Sequence, residues 1–167
     1  MENNASPRQK LLTSIQHVMG ELGGFWDQDF ENFADLAEKE KIAIDLRTGE
    51  DHFTFVHAAN QDMSKRVLIE CRLGEIPEDR ATESLARLMD LNYLASPCNL
   101  SAFAIDERTG HAIYTYSCAI SEMTETTLSQ LLVGIAALAH EWRQGFFLEE
   151  PQTALFQNYT TQFAALA

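Results

Sequence analysis

The order in which apolar periods change along this chain limits its fold more than any other feature. Apolar residues recur at helical spacing over Leu11, Leu12, Ile15, Val18, Met19 and Leu22, giving one broad face of a first helix. They then follow strand patterns in three runs: Ile42, Ile44 and Leu46; Phe53, Phe55 and His57; and Val67 to Leu73. Helical spacing returns over Ala81, Leu85, Leu88, Met89 and Leu91. Two further strand runs follow, Leu100 to Ile105 and Ile113 to Ile120, and then a long helix from about Thr124 to Phe147. Helix, three strands, helix, two strands, helix in 167 residues reads as an α+β domain, with a twisted, mainly antiparallel sheet packed against helices. A chain of this length buries one core. We expect a single domain over residues 1–150 and a tail over 151–167, where Leu155, Tyr159 and Phe163 stand four apart and suggest a short amphipathic helix.

Local signals mark the boundaries. Ser6, Pro7 and Gln9 offer a cap, a proline at the first helical position and a capping-box partner. Gly23 and Gly24 stop the helix. Thr48-Gly49-Glu50-Asp51 is predicted to join the first two strands as a hairpin with a longer loop. Pro77, Glu78 and Asp79 suit the start of the second helix, and Pro151 forbids continuation of the third. From Phe25 to Glu40 the chain is both aromatic and acidic, with Phe25, Trp26, Phe30 and Phe33 among Asp27, Asp29, Glu31, Asp35 and Glu38. Two readings stay open there: a loop anchored to the core by its aromatics, with Phe33, Leu36 and Ala37 on a short helix, or a partner site.

Acidic residues outnumber basic ones 25 to 12, for a formal charge of −13. Such a chain repels nucleic-acid backbones and anionic membranes and attracts basic partners; solubility alone accounts for the charge equally well. No apolar run approaches the roughly 20 residues of a membrane span, and Met1 to Lys10 is too polar for a signal peptide. Cys71, Cys98 and Cys118 are odd in number and lack a C-x-x-C pair. They are expected as buried thiols in a reducing cytoplasm.

Assembled chemistry is missing. His140-Glu141 opens like a metalloprotease helix, but Gln144 stands where the second histidine ligand belongs. His17, His52, His57 and His111 keep no fixed spacing. Gly20, Gly23 and Gly24 follow a helix, whereas phosphate-cradling glycines need a strand before and a helix after. No serine sits in a nucleophile elbow and no cysteine has an evident base. We therefore expect no catalytic residue, no metal and no cofactor, and read the chain first as a binding protein. A binding or regulatory module acting on a stable partner is the alternative, and a small enzyme whose site assembles only in three dimensions comes last.

With the element order, the size and the acidity, three local features carry a family resemblance. These are the apolar first helix, the stretch Leu88-Met89-Asp90-Leu91-Asn92-Tyr93, and Ile105-Asp106-Glu107-Arg108-Thr109-Gly110 before a tyrosine-rich strand. Over about residues 8 to 147 the chain resembles the class I type III secretion chaperones, the group that includes the Tir chaperone. The resemblance implies a cytoplasmic bacterial homodimer without enzymatic activity or cofactor. It would bind the N-terminal segment of one or more secreted effectors, with the secretion ATPase as a further candidate partner. It also implies a dimer contact around helix two and the fourth strand, through Leu85, Leu88, Met89 and Phe103. Effector contacts would involve Leu11, Ile15, Phe53 and Phe55, each of which reads equally well as monomer core.

Overall fold

The computed structural model describes residues 6–26, 36, 40–59, 62–95 and 100–148. The expected tail helix on Leu155, Tyr159 and Phe163 lies outside the described residues, as do Cys98, Phe30, Phe33 and Ala37. Helix α1 (Pro7–Glu21) is followed by strands β1 (Phe25–Trp26), β2 (Lys41–Thr48), β3 (Asp51–Ala58) and β4 (Arg66–Gly74). Then come helix α2 (Ala81–Ala95), strands β5 (Ser101–Ile105) and β6 (Ala112–Ala119), and helix α3 (Glu125–Gly145). Among the described residues six strands form one sheet in the order β1-β2-β3-β4-β6-β5, with every neighbouring pair antiparallel. The α+β reading therefore holds. Its strand count lacked β1, which pairs Phe25 with Arg47 and Trp26 with Leu46. Two residues are too few to show a period.

The expected cap on α1 is present. The Ser6 hydroxyl accepts from the Gln9 amide at 3.2 Å, and Gln9 Oε1 accepts from the Ser6 amide at 2.8 Å, an arrangement worth about 1 kcal/mol. The β2–β3 hairpin is tighter than predicted. Thr48 pairs with Asp51, so Gly49 and Glu50 alone make the loop. Gly49 has φ 58 in the position that a two-residue type II′ turn gives to glycine. Helix α3 also stops earlier than Pro151 requires, at Gly145. Phe146 and Phe147 follow in left-handed conformation, with φ 54 and 57. Such backbone costs about 1–3 kcal/mol per residue; ring packing of Phe147 on Phe103 and Trp142, at 5.6 Å each, offsets it.

Strand alternation builds the core in cross-strand rows. Leu46 faces Phe53, Phe53 faces Cys71, Cys71 faces Tyr114, and Tyr114 faces Phe103. A second row runs through Ile44, Phe55, Ile69 and Tyr116. All of these side chains are buried. Helix α3 packs on β4, and α1 packs on α3. Trp142 of α3 is fully enclosed, and its indole N–H donates to the Glu75 carbonyl at 3.2 Å.

Cys71 and Cys118 are free and buried. Burial pushes both thiols up, Cys118 to about 12. Because the thiolate is the reacting species, a Cys98→Ser variant should react with a thiol reagent at neutral pH roughly a hundredfold more slowly when folded than in denaturant. Equal rates in the two states would show the thiols to be accessible.

A candidate partner-binding face

Helix α2 turns one arc inward and another outward. Ser84, Leu88, Leu91 and Ala95 are buried. Leu85 is 38% exposed, Met89 72% and Tyr93 79%, and residues four apart on a helix stand above one another. Leu94 at 47% and Ile105 at 37%, the latter on β5 against which α2 packs, add further exposed apolar surface. Leu85, Met89 and Tyr93 form a row on one arc of α2, and an exposed apolar row of this kind is a candidate interaction surface.

Two side chains fasten α2 to the body. The Asn92 carboxamide bonds the backbone of Phe103 twice: its Nδ2 donates to the Phe103 carbonyl at 2.9 Å, and its Oδ1 accepts from the Phe103 amide at 2.7 Å. Arg87 Nε donates to the Phe147 carbonyl at 3.0 Å. Asn92 was visible in the sequence only as the end of a leucine-rich stretch. Its pairing joins residues 11 apart and needs the fold to be seen.

The residues singled out in the sequence divide sharply. Leu85 and Met89 lie on the exposed face. Leu88 at 4% and Phe103 at 5% do not; Leu88 points inward on the same helix, and the Phe103 ring packs tilted against Tyr114, with centroids 5.0 Å apart. These two lie beneath the exposed surface of the isolated chain. Leu11, Ile15, Phe53 and Phe55 are 0–1% exposed, which is the monomer-core arrangement that each of them also allowed. The most apolar positions of α1 and β3 are spent on the protein's own core. Close to Leu11 and Ile15, a groove of about 680 Å³ opens between α1 and the start of α3, lined by Pro7, Lys10, Thr13, Ser14, Ile120 and Met123.

Polar groups gather elsewhere. At the β2–β3 turn Arg143 Nη2 meets Asp51 at 2.7 Å, with Glu50 at 3.8 Å from its Nε. Asp106 caps the β5–β6 turn. The Arg108 amide and then the Thr109 hydroxyl, both donating to it, hold its carboxyl below the usual range. His140 is exposed, and burial raises the neighbouring Glu141 carboxyl. Among the described residues, no group of three His, Cys, Asp or Glu could hold a metal ion. No helix among them is long and apolar enough to cross a membrane.

Solved structures share this architecture. The chain is similar to the ExsC–ExsE complex at 17% identity and TM-score 0.58, over 82% of this chain and 93% of that one. It is also similar to the Yersinia pestis type III secretion chaperone SycH, solved with a stable fragment of YscM2, at 13% identity and TM-score 0.52, over 78% of this chain and 98% of that one. At such identities the likeness is one of fold. Among curated proteins, nothing matches the chain in sequence. Residues 31–143, from before β2 to the last turn of α3, match the Tir chaperone protein family (CesT). The resemblance carried by the element order thus holds, and the chain belongs to the Tir chaperone protein family.

Proposed function

We propose that the protein is a type III secretion chaperone that works as a cytoplasmic homodimer. It binds the N-terminal segment of one or more effectors and keeps them soluble and fit for export, and it catalyses no reaction. The family match over residues 31–143 carries this reading. The exposed row Leu85, Met89 and Tyr93 supports the dimer. A two-fold dimer places one apolar patch against its own copy, so a single stripe serves both subunits.

Effector capture is assigned to the α1 and β2–β3 side of the domain. Exposed neighbours of the buried Leu11 and Ile15 act there, and the groove beside α1 accepts apolar anchors of an extended segment. A disordered segment loses conformational entropy on binding and so needs a long, wrapped contact. The charge of −13 favours encounter with a basic one.

Deleting the gene in its own bacterium tests the function. Secretion of at least one type III substrate should fall about tenfold or more and return on complementation, while general protein export is unchanged. An unaltered set of secreted proteins would refute the chaperone reading.

A further inference from the structure

The bonds of Asn92 to Phe103 also bear on which edge of the sheet a partner strand can join. Among the described residues strand β5 is the last in the sheet order, and an edge strand is a template for another chain. Its pairing with β6 uses one side of the backbone. The Ser117 amide donates to the Leu100 carbonyl at 2.6 Å, and the Asp106 amide donates to the His111 carbonyl at 2.9 Å. Antiparallel ladders alternate, so even-numbered residues from 100 to 106 bond inward, while Ser101, Phe103 and Ile105 turn their amides and carbonyls outward.

Asn92 occupies the middle of that outward row. Only one orientation of its carboxamide satisfies both bonds, with oxygen toward the Phe103 amide and nitrogen toward the Phe103 carbonyl. This is the pattern a paired strand residue would present. The geometry points to Asn92 as an edge plug: it completes the hydrogen bonding of β5 from within the chain and closes this edge to strand addition. An incoming strand needs adjacent hydrogen-bonded pairs, and with Phe103 taken, Ser101 and Ile105 lie to either side of it as separated single sites. The side chains of Ala102, Ala104 and Ile105 are exposed and uncharged. Without the plug, β5 would be a flat, apolar edge of the kind that recruits other chains. The plug thus leaves the α2 face to associate through side chains alone, and a partner that adds a strand must do so elsewhere. The inference concerns the backbone of β5 and does not rest on which partner covers α2.

Asn92→Ala and Asn92→Asp in the full chain test the plug, with circular dichroism and thermal unfolding to establish that each is folded. In Asn92→Ala, exchange of the Phe103 amide should quicken about tenfold or more, and light scattering should show concentration-dependent species larger than the wild type. Asn92→Asp keeps the acceptor and loses the donor, so both effects should appear in weaker form; it takes over the test should Asn92→Ala fail to fold. Folded variants with wild-type exchange and assembly would overturn the proposal. Faster exchange without added association would overturn it too, because the edge would then be open and unused. A monomeric wild type would contradict the dimer and leave the plug standing.

Discussion

Met89→Asp is expected to turn the proposed dimer into a monomer with its fold intact. Met89 is 72% exposed and lies between Leu85 and Tyr93 on the outward arc of α2, so the change removes no core contact. Across a two-fold interface the carboxylate would be buried twice, once from each subunit. An unpaired charge taken out of water costs several kcal/mol. A loss of about 3 kcal/mol already weakens association roughly a hundredfold. Met89→Lys should act in the same way although it reduces the negative charge, which separates burial of a charge from long-range repulsion. Sedimentation or light scattering over a dilution series reads the result. An unchanged dimer in both variants would move the interface away from α2. Leu88→Asp is not the equivalent test: Leu88 is 4% exposed, and a charge there attacks the monomer.

The second large effect is on stability. Phe53→Ser with Phe55→Ser should leave the chain unfolded or insoluble at 37 °C. Both rings are buried on β3, between β2 and β4. Phe53 stands opposite Leu46 and Cys71, and Phe55 opposite Ile44 and Ile69. Truncating one buried phenylalanine costs about 3–5 kcal/mol, and a buried hydroxyl without a partner adds to that. The two losses share a core and will not add exactly in full, yet their sum rivals a total stability of about 5–15 kcal/mol. Urea unfolding and far-UV circular dichroism check this, and a double variant with a wild-type midpoint would contradict the core assignment. A loss of effector binding in this variant would therefore report unfolding and not a damaged binding site.

These two outcomes show how far the sequence could be read. Alternation at Ile42, Ile44 and Leu46 and at Phe53, Phe55 and His57 placed β2 and β3, because a sheet with one covered face imposes a two-residue period. The capping box placed the start of α1. The rotation of α2 was not legible. Apolar residues at 85, 88, 89 and 91 fit more than one inward face, and the choice is made by contacts distant in sequence, from Asn92 to Phe103 and from Arg87 to Phe147. Hydropathy even ranks Ser84 and Leu85 the wrong way round, since Ser84 is 0% exposed and Leu85 38%. The family resemblance gave Leu11, Ile15, Phe53 and Phe55 to an effector contact, and hydropathy could not separate that role from a place in the core. Sequence shows that a residue avoids water, but not whether its own fold or another chain provides the shelter.

The central claim is that this protein is a dimer that holds secreted proteins by their N-terminal segments. Purification of the tagged protein from its own bacterium, with light scattering and mass spectrometry of the complex, tests it most directly. The expected result is a dimer carrying one or a few type III substrates, each released when its N-terminal segment is deleted. A monomer that retains no secreted protein would contradict the account.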